Sequence, residues 1–199
     1  KRELFVPDKF KELAYKNIPL SIAKGQTISQ PYTVAFMLEL LDLQTGDKVL
    51  EIGAGSGYNA AVMSELVGNN GKIYSVELER ELCETAENNL KKAGIKKVHV
   101  INGDGYYGYA RAAPYDKIIM TAGSSEIPKI LIKQLVKGGA MVMPLTRNFG
   151  EKMVKIVKND KIKISYYGDF SFVPLRGAVD VDSFSHKPHP LRCGGASIF

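Results

Sequence analysis

Short apolar runs alternate with longer stretches of helical periodicity through most of the chain. The apolar runs predict strands at 48–52, 72–76, 98–102, 115–121 and 140–144. The helical periodicity predicts helices at 8–15, 34–43, 58–67, 79–93 and 127–137. Strands that alternate with helices are typical of a parallel sheet covered by helices on both faces. We therefore predict an α/β fold with a doubly wound, mostly parallel sheet.

The last part of the chain follows a different pattern. Residues 152–158 and 161–167 alternate in part between apolar and charged residues around an Asn-Asp pair, which predicts an antiparallel hairpin at the sheet edge. Residues 178–199 combine prolines with a glycine pair and predict a loosely held tail. We expect one folded domain over residues 1–177, followed by a tail of unassigned role at residues 178–199.

Composition agrees with a single globular domain. The chain has 199 residues, of which 45% are hydrophobic and 24% charged, so it can form a core without disulfides or a structural metal. The apolar runs are shorter than the ~18 residues that span a bilayer, and we recognise no secretory leader. We therefore expect a cytoplasmic protein with no membrane partner, acting as a monomer.

Cysteines and histidines give no metal motif. Cys83 and Cys193 do not form a CxxC pair, which favours a reducing compartment over a redox or metal site. His186, His189 and Cys193 fall in the predicted tail, where three scattered candidate ligands do not by themselves indicate a metal centre. We expect no bound metal.

The formal net charge of +6 leaves acidic partners open. A nucleic-acid footprint should concentrate its basic residues on one face or along one helix. The lysines here are scattered over several segments, and those at 129, 133 and 137 have the spacing of a solvated helix face. Charge alone therefore does not favour a nucleic-acid partner.

A glycine-rich loop is the most informative local motif. Gly53, Gly55 and Gly57 follow the strand at 48–52 and precede a helix, where glycines permit a tight turn and a close approach of the backbone to a ligand. The spacing is GxGxG, and Tyr58 stands where the dinucleotide fingerprint GxGxxG needs glycine. An ordinary strand-to-helix turn would also explain this loop alone.

Acidic residues accompany the loop at successive strand ends. Glu51 precedes the loop, and Glu77 ends the second strand 20 residues after Gly57 (77 − 57 = 20), where a carboxylate can accept hydrogen bonds from ribose hydroxyls. Asp104 follows the third strand, where it can meet an adenine edge. Each acid alone could be an ordinary surface or turn residue. Together they mark the crevice in which doubly wound sheets bind ligands.

This combination resembles the class I S-adenosylmethionine-dependent methyltransferases. The resemblance implies that the loop approaches the methionine part of the cofactor, the acid at the second strand holds the ribose, and the next strand end meets the adenine. The nucleic-acid amino-methylating members carry Asp/Asn-Pro-Pro-aromatic after the fourth strand, where this chain has Thr121-Ala-Gly-Ser-Ser. Neither cysteine follows a proline, so the cytosine-C5 mechanism has no candidate nucleophile. We therefore expect no nucleic-acid partner.

Four further segments, 4–7 (Leu-Phe-Val-Pro), 19–32, 103–109 and 172–177, narrow the resemblance. The Gln-Thr-Ile-Ser-Gln-Pro string within 19–32 and the late Phe-Val-Pro-Leu string resemble the protein-L-isoaspartate O-methyltransferases. That family methylates the free carboxylate of L-isoaspartyl, and also D-aspartyl, residues in damaged proteins and peptides. The ester then collapses to a succinimide that can reopen as aspartate. The family's usual N-terminal helix is expected to be shortened here.

The resemblance also assigns site residues. The catalytic and substrate-contacting residue is Ser29. The implied cofactor-binding residues are Gln26, Thr27, Ile28, Glu51, Gly53, Gly55, Gly57, Glu77, Asp104 and Gly105. The implied substrate-binding residues of the late strand are Val173 and Leu175. From local sequence alone, Ser29 could instead be a helix N-cap with Pro31 in the first turn, and Val173 and Leu175 could be ordinary core residues.

The implied reaction does not require a side chain that acts as an acid or base. An isoaspartyl carboxylate is ionised at neutral pH because its ordinary pKa is near 3–4, so no general base is required. We hypothesise that the Ser29 hydroxyl orients this carboxylate. Two alternatives stay open: a related enzyme that methylates aspartate in a dedicated precursor peptide, and a non-catalytic S-adenosylmethionine-binding protein. A small-molecule O-methyltransferase is disfavoured because the motif segments contain no histidine.

Overall fold

A seven-stranded sheet forms the centre of the computed structural model, which describes residues 1–147 and 150–178. The seven strands are β3 (Lys48–Ile52), β4 (Lys72–Glu77), β5 (Val98–Asn102), β6 (Tyr115–Met120), β7 (Leu135–Arg147), β8 (Gly150–Lys158) and β9 (Ile162–Phe170). Their order in the sheet is β5-β4-β3-β6-β7-β8-β9. A separate two-stranded antiparallel sheet pairs β1 (Leu20–Ser21) with β2 (Thr27–Ile28).

Four α-helices connect or flank these strands. They are α1 (Pro31–Leu41), α2 (Tyr58–Leu66), α3 (Arg80–Lys92) and α4 (Lys129–Gln134). Short 3₁₀ turns lie at Arg2–Leu4, Asp8–Leu13, Gly105–Tyr107 and Ala110–Ala112. Among the described residues, no helix combines the length and apolar character needed to cross a membrane.

The strand directions confirm the predicted fold class. β5, β4, β3, β6 and β7 run parallel, whereas β8 and β9 add antiparallel pairs at the edge, as the predicted hairpin requires. The chain winds outward from β3 to β4 and β5, and then returns past β3 to β6. The carboxyl ends of β3, β4 and β6 therefore meet where the strand order reverses, which is the place where open α/β sheets bind ligands.

Alternate residues of β3 point into two separate cores, as the period of a strand requires. Leu50 and Ile52 belong to a core that includes Leu131 of α4. Val49 packs in the opposite core against α1 and α2, with Met37 and Met63. Both faces of the sheet are thus covered, which explains why the central strands read as continuous apolar runs.

The structure differs most from the sequence predictions at residues 127–147 and 8–15. The predicted helix at 127–137 ends at Gln134, because β7 already begins at Leu135 opposite Tyr115. The register then shifts before Lys117, near Gly138 with its φ of +84°. The predicted helix at 8–15 is a 3₁₀ turn. The tail residues from 179 onward, including His186, His189 and Cys193, lie outside the described residues.

Candidate functional site

A cleft opens at the carboxyl ends of β3, β4 and β6. This strand-end cleft is lined by Gln26, Thr27, Ile52, Gly53, Gly55, Val76, Glu77, Leu78, Gly105, Thr121, Ala122 and residues 173–176. A second cleft adjoins it, and we name it the serine cleft because Ser29 lines it. It shares Thr27, Gly53, Gly55 and Thr121 with the first and adds Ile28, Ser29, Val34, Met37, Ala54, Ser56, Tyr58 and Asn59. The two clefts therefore form one site around the glycine loop.

The three loop glycines have different structural roles. All have positive φ values: +95° at Gly53, +53° at Gly55 and +84° at Gly57. A Cβ on Gly53 would lie 2.5 Å from the hydroxyl of Thr121, which donates a hydrogen bond to the Gly53 carbonyl at 2.8 Å. Gly57 instead faces α3, where a Cβ would meet the Ala86 backbone at 3.2–3.3 Å. Gly53 and Gly55 line the site, whereas Gly57 fits the loop against α3.

Glu77 presents a carboxylate to the strand-end cleft. The side chain is largely buried, and its oxygens accept hydrogen bonds from the backbone N–H groups of Gly55 at 2.9 Å and Glu79 at 3.1 Å. An ionised carboxylate has about four acceptor positions, so further donors can still bind it from the cleft. A vicinal diol, such as that of a ribose, supplies two such donors. The arrangement fits an adenosine group on this strand end.

Asp104 and Gly105 occupy the end of β5. The Asp104 carboxylate accepts hydrogen bonds from the N–H groups of Tyr106 at 2.9 Å and Ala178 at 2.8 Å. A Cβ on Gly177 would lie 2.6 Å from this carboxylate. Gly105 lines the strand-end cleft, and its own Cβ would collide with Ile52 at 2.4 Å. Gly105 therefore lets the backbone after β5 pack closely against Ile52 in the cleft wall, while Asp104 holds the backbone of Ala178.

Glu51 lies behind the site rather than in it. Its carboxyl group is fully buried and accepts hydrogen bonds from Asn59 at 2.8 Å and from the Ser75 hydroxyl. Burial raises the pKa of Glu51 to about 7, against the lowering effect of these two hydrogen bonds. Because Asn59 lines the serine cleft, Glu51 contacts the site through that one side chain.

The segment from Gln26 to Ser29 forms the opposite wall. Thr27 and Ile28 are the two residues of β2; Thr27 lines both clefts, and Ile28 and Ser29 line the serine cleft. The N-cap of α1 is Gln30, followed by Pro31 at the first helical position. The N-cap interpretation of Ser29 is therefore wrong, since the extended β2 segment carries Ser29 past the cleft before the helix begins.

Residues 173–176 form a further wall of the strand-end cleft. The N–H of Gly123 donates to the Val173 carbonyl at 2.9 Å, and the N–H of Leu175 donates to the Gly123 carbonyl at 2.7 Å. Val173 and Leu175 line the cleft and also pack with the core that contains Leu131, so their core packing does not remove them from the site. Arg176 forms an ion pair with Glu79 at 3.1 Å, which ties this segment to the end of β4.

Several lining residues were not assigned to the site from the sequence, among them Thr121, Arg176 and Asn59. Thr121 lines both clefts, Arg176 the strand-end cleft and Asn59 the serine cleft. The position of Thr121 directly after the fourth parallel strand was an available signal, because strand ends converge at this edge. Asn59 and Arg176 have no comparable local signal, since their neighbours are set by tertiary packing.

The sequence was compared with protein families and curated proteins. A profile described as protein-L-isoaspartate(D-aspartate) O-methyltransferase matches residues 1–180. The protein-L-isoaspartate O-methyltransferase of Ignicoccus hospitalis is 49% identical over 176 residues, covering 87% of this chain and 83% of that protein. Its counterpart from Pyrococcus horikoshii is 48% identical over 179 residues, covering 88% and 80%.

Solved structures that carry the same enzyme name are also similar to this chain. A chain named protein-L-isoaspartate O-methyltransferase superposes with a TM-score of 0.82 at 35% identity. The match covers 90% of this chain but spans only 59% of that one. A Plasmodium falciparum protein described as a protein-L-isoaspartate O-methyltransferase, in complex with S-adenosyl-L-homocysteine, superposes with a TM-score of 0.79 at 25% identity, covering 88% and 85%.

Proposed function

The chain belongs to the protein-L-isoaspartate(D-aspartate) O-methyltransferase family, and from that membership we propose that it methylates the free carboxylate of L-isoaspartyl and D-aspartyl residues in damaged proteins and peptides. The family's enzymes depend on S-adenosylmethionine, which is the methyl donor here. The chain acts as an enzyme, and the curated relatives do not favour the precursor-peptide or non-catalytic alternatives.

One observation carries this proposal. The strand-end cleft, with Glu77 and Gly105, and the serine cleft, with Ser29, share the wall formed by Thr27, Gly53 and Thr121. A donor with its ribose on Glu77 and its methionine part along the glycine loop would therefore direct its reactive end toward the serine cleft. A peptide carboxylate placed at Ser29 meets it there, and the enclosing walls exclude water from the reacting atoms.

The residues of this chain bind and orient the reactants. S-adenosylmethionine, when bound, supplies a methyl group on a positively charged sulfur, which a carboxylate oxygen can attack directly. The groups that would hold it are the Glu77 carboxylate at the ribose and the Gly53–Gly55 backbone at the methionine part, with Gly105 beside the adenine. Gln26, Thr27 and Ile28 complete the wall, and Glu51 acts through Asn59. Asp104, whose carboxylate already accepts two backbone hydrogen bonds, supports the adenine side.

Ser29, Val173 and Leu175 serve the substrate. The Ser29 hydroxyl donates a hydrogen bond to one oxygen of the isoaspartyl carboxylate, which leaves the other oxygen to form the ester. Val173 lines the strand-end cleft and also the pocket that contains Ser29, so it gives the substrate chain an apolar surface at the junction of the two, with Leu175 adjoining it in the strand-end cleft. The backbone nitrogen of the following residue then attacks the ester carbonyl and gives up its proton, and methanol leaves as the succinimide ring closes. Water reopens that ring to aspartate or isoaspartate.

The test of this function is methyl transfer to two peptides that differ only in one residue, isoaspartyl or aspartyl. Labelled S-adenosylmethionine should give base-labile label on the isoaspartyl peptide and none on the aspartyl peptide. Only the isoaspartyl residue has a free α-carboxylate, because the free carboxylate of a normal aspartyl residue is on its side chain. Label on neither peptide, with S-adenosyl-L-homocysteine still bound, would overturn the repair function and favour a dedicated precursor peptide.

Replacing Ser29 with alanine should lower kcat about tenfold while the cofactor Kd changes less than twofold. A hydrogen bond to a charged group contributes roughly 1.5–3 kcal/mol, and its loss misorients the carboxylate without touching the glycine loop. The matched control is Ser165→Ala on β9, outside the residues that line either cleft. Equal loss of kcat and cofactor affinity in Ser29→Ala would contradict an orienting role. Single-turnover transfer and calorimetric titration separate the two quantities.

We further propose a cytoplasmic monomer that uses no nucleic acid. The scattered lysines, the lack of a CxxC pair and the absence of the nucleic-acid methylation motifs from the sequence support this. Sedimentation across a range of protein concentrations tests the monomer, since a concentration-dependent mass would contradict it.

A further inference from the structure

A groove leads from Ser29 to the protein surface, between the first turn of α1 and the end of β9. Its inner part is lined by Ser29 together with Thr33, Ser171 and Phe172. Its outer part shares Thr33 and Ser171 and continues to Tyr32, Phe36 and Phe170. We name the outer part the aromatic groove. Because the two parts share residues, the aromatic groove opens directly onto the place where we position the substrate carboxylate.

Three rings form one wall of the aromatic groove. Tyr32 stacks on Phe36 with ring centroids 5.8 Å apart, and Phe36 stacks on Phe170 at 5.3 Å. Phe36 and Phe170 pack partly against the core beneath them, so their rings are held in place. Tyr32 is 54% exposed, and its backbone N–H is fixed by a hydrogen bond to the Asn17 side chain at 3.0 Å. The wall is therefore a preorganised apolar surface in contact with water.

The charge of the groove indicates what it can receive. Of the described residues that line the aromatic groove, Asp169 is the one that carries a charge, and an ion pair of 2.6 Å to Lys152 neutralises it. An uncharged aromatic wall binds apolar and aromatic side chains through burial of apolar surface and ring stacking. Such a wall provides no opposite charge to bind a phosphate or a strongly charged side chain.

The occupant follows from the reaction. An isoaspartyl residue continues the chain through its side-chain carbonyl, so a substrate chain must leave the carboxylate in two directions. The strand-end cleft and the glycine loop are taken by the cofactor, whereas the aromatic groove joins the inner part at Ser29 through Thr33 and Ser171 and ends at the surface. We propose that the aromatic groove receives an apolar or aromatic side chain from a residue that flanks the isoaspartyl residue. This inference rests on the proposed function, and it makes the enzyme selective among damage sites.

The test compares isoaspartyl peptides that differ only in one flanking residue, with glycine, leucine or phenylalanine placed before or after the damaged residue. In the wild-type enzyme, leucine or phenylalanine on one of the two sides should raise kcat/KM about tenfold over glycine, the effect of burying roughly 50–60 Å² of apolar surface. Tyr32→Ala should reduce this preference to about twofold and leave the glycine peptide within twofold of wild type. Tyr32→Phe should restore the preference.

Tyr166→Ala is the matched control, because Tyr166 is 56% exposed and does not line the groove. It should keep the wild-type preference. Equal kcat/KM for all flanking residues, or an equal loss for every peptide in Tyr32→Ala, overturns the groove proposal while the repair function stands. Failure to methylate any isoaspartyl peptide overturns the proposed function and this inference with it.

Discussion

Glu77→Gln is expected to weaken binding of S-adenosylmethionine about 100-fold. The carboxylate is buried at the end of β4, with backbone N–H groups of Gly55 and Glu79 already directed at it. A glutamine retains one acceptor oxygen but places an NH₂ group among these donors, so at least one ribose hydroxyl loses its partner. The loss of a charge-assisted hydrogen bond, together with the mismatched donors, amounts to about 3 kcal/mol, which corresponds to about 100-fold in Kd.

Calorimetric titration with S-adenosylmethionine and S-adenosyl-L-homocysteine measures this effect directly. The matched control is Glu84→Gln, which removes the same charge from the exposed face of α3, where Glu84 pairs with Arg80. This control separates the hydrogen bonds of Glu77 from the general attraction of acidic residues for a cationic cofactor. A Glu77→Gln variant that folds and binds within threefold of wild type would show that this acid does not hold the ribose.

Such a prediction depends on strand ends that the sequence predicts well. The strands at 48–52 and 98–102 have the predicted bounds, because each is a short apolar run bounded by polar residues and turns. Their ends fix the glycine loop and the residues that follow β5. Glu77 could be placed from its spacing to the loop, because β4 lies beside β3 in any sheet that is wound outward from β3.

Other parts of the site depend on contacts that local patterns do not encode. β1 and β2 have two residues each, too few to show a period, yet β2 carries the wall that ends at Ser29. The pairing of Arg176 with Glu79 joins residues far apart in the chain. Glu51 precedes the loop in sequence, but the alternation of β3 directs it to the α2 side, whereas Ile52 lines the cleft. Proximity along the chain therefore does not by itself place the Glu51 side chain in the cleft.

That same burial makes Glu51 a determinant of stability. A carboxyl whose pKa is raised from 4.5 to about 7 in the folded protein binds more protons in the folded than in the unfolded state between these two values. The free energy of unfolding should therefore fall as the pH rises through this window. At pH 8 the folded protein holds an ionised carboxylate in a buried position, and the cost relative to pH 5 is about 2–3 kcal/mol.

Glu51→Gln should remove this pH dependence. A glutamine can accept the hydrogen bond from Asn59 and donate one to the Ser75 hydroxyl without carrying charge. Relative to wild type, the variant should gain about 2–3 kcal/mol between pH 5 and pH 8, measured by denaturant unfolding at both pH values. Glu65→Gln, on the exposed face of α2, is the matched control and should show no such gain. An unchanged difference between Glu51→Gln and wild type at the two pH values would mean that burial does not hold this carboxyl in its protonated form.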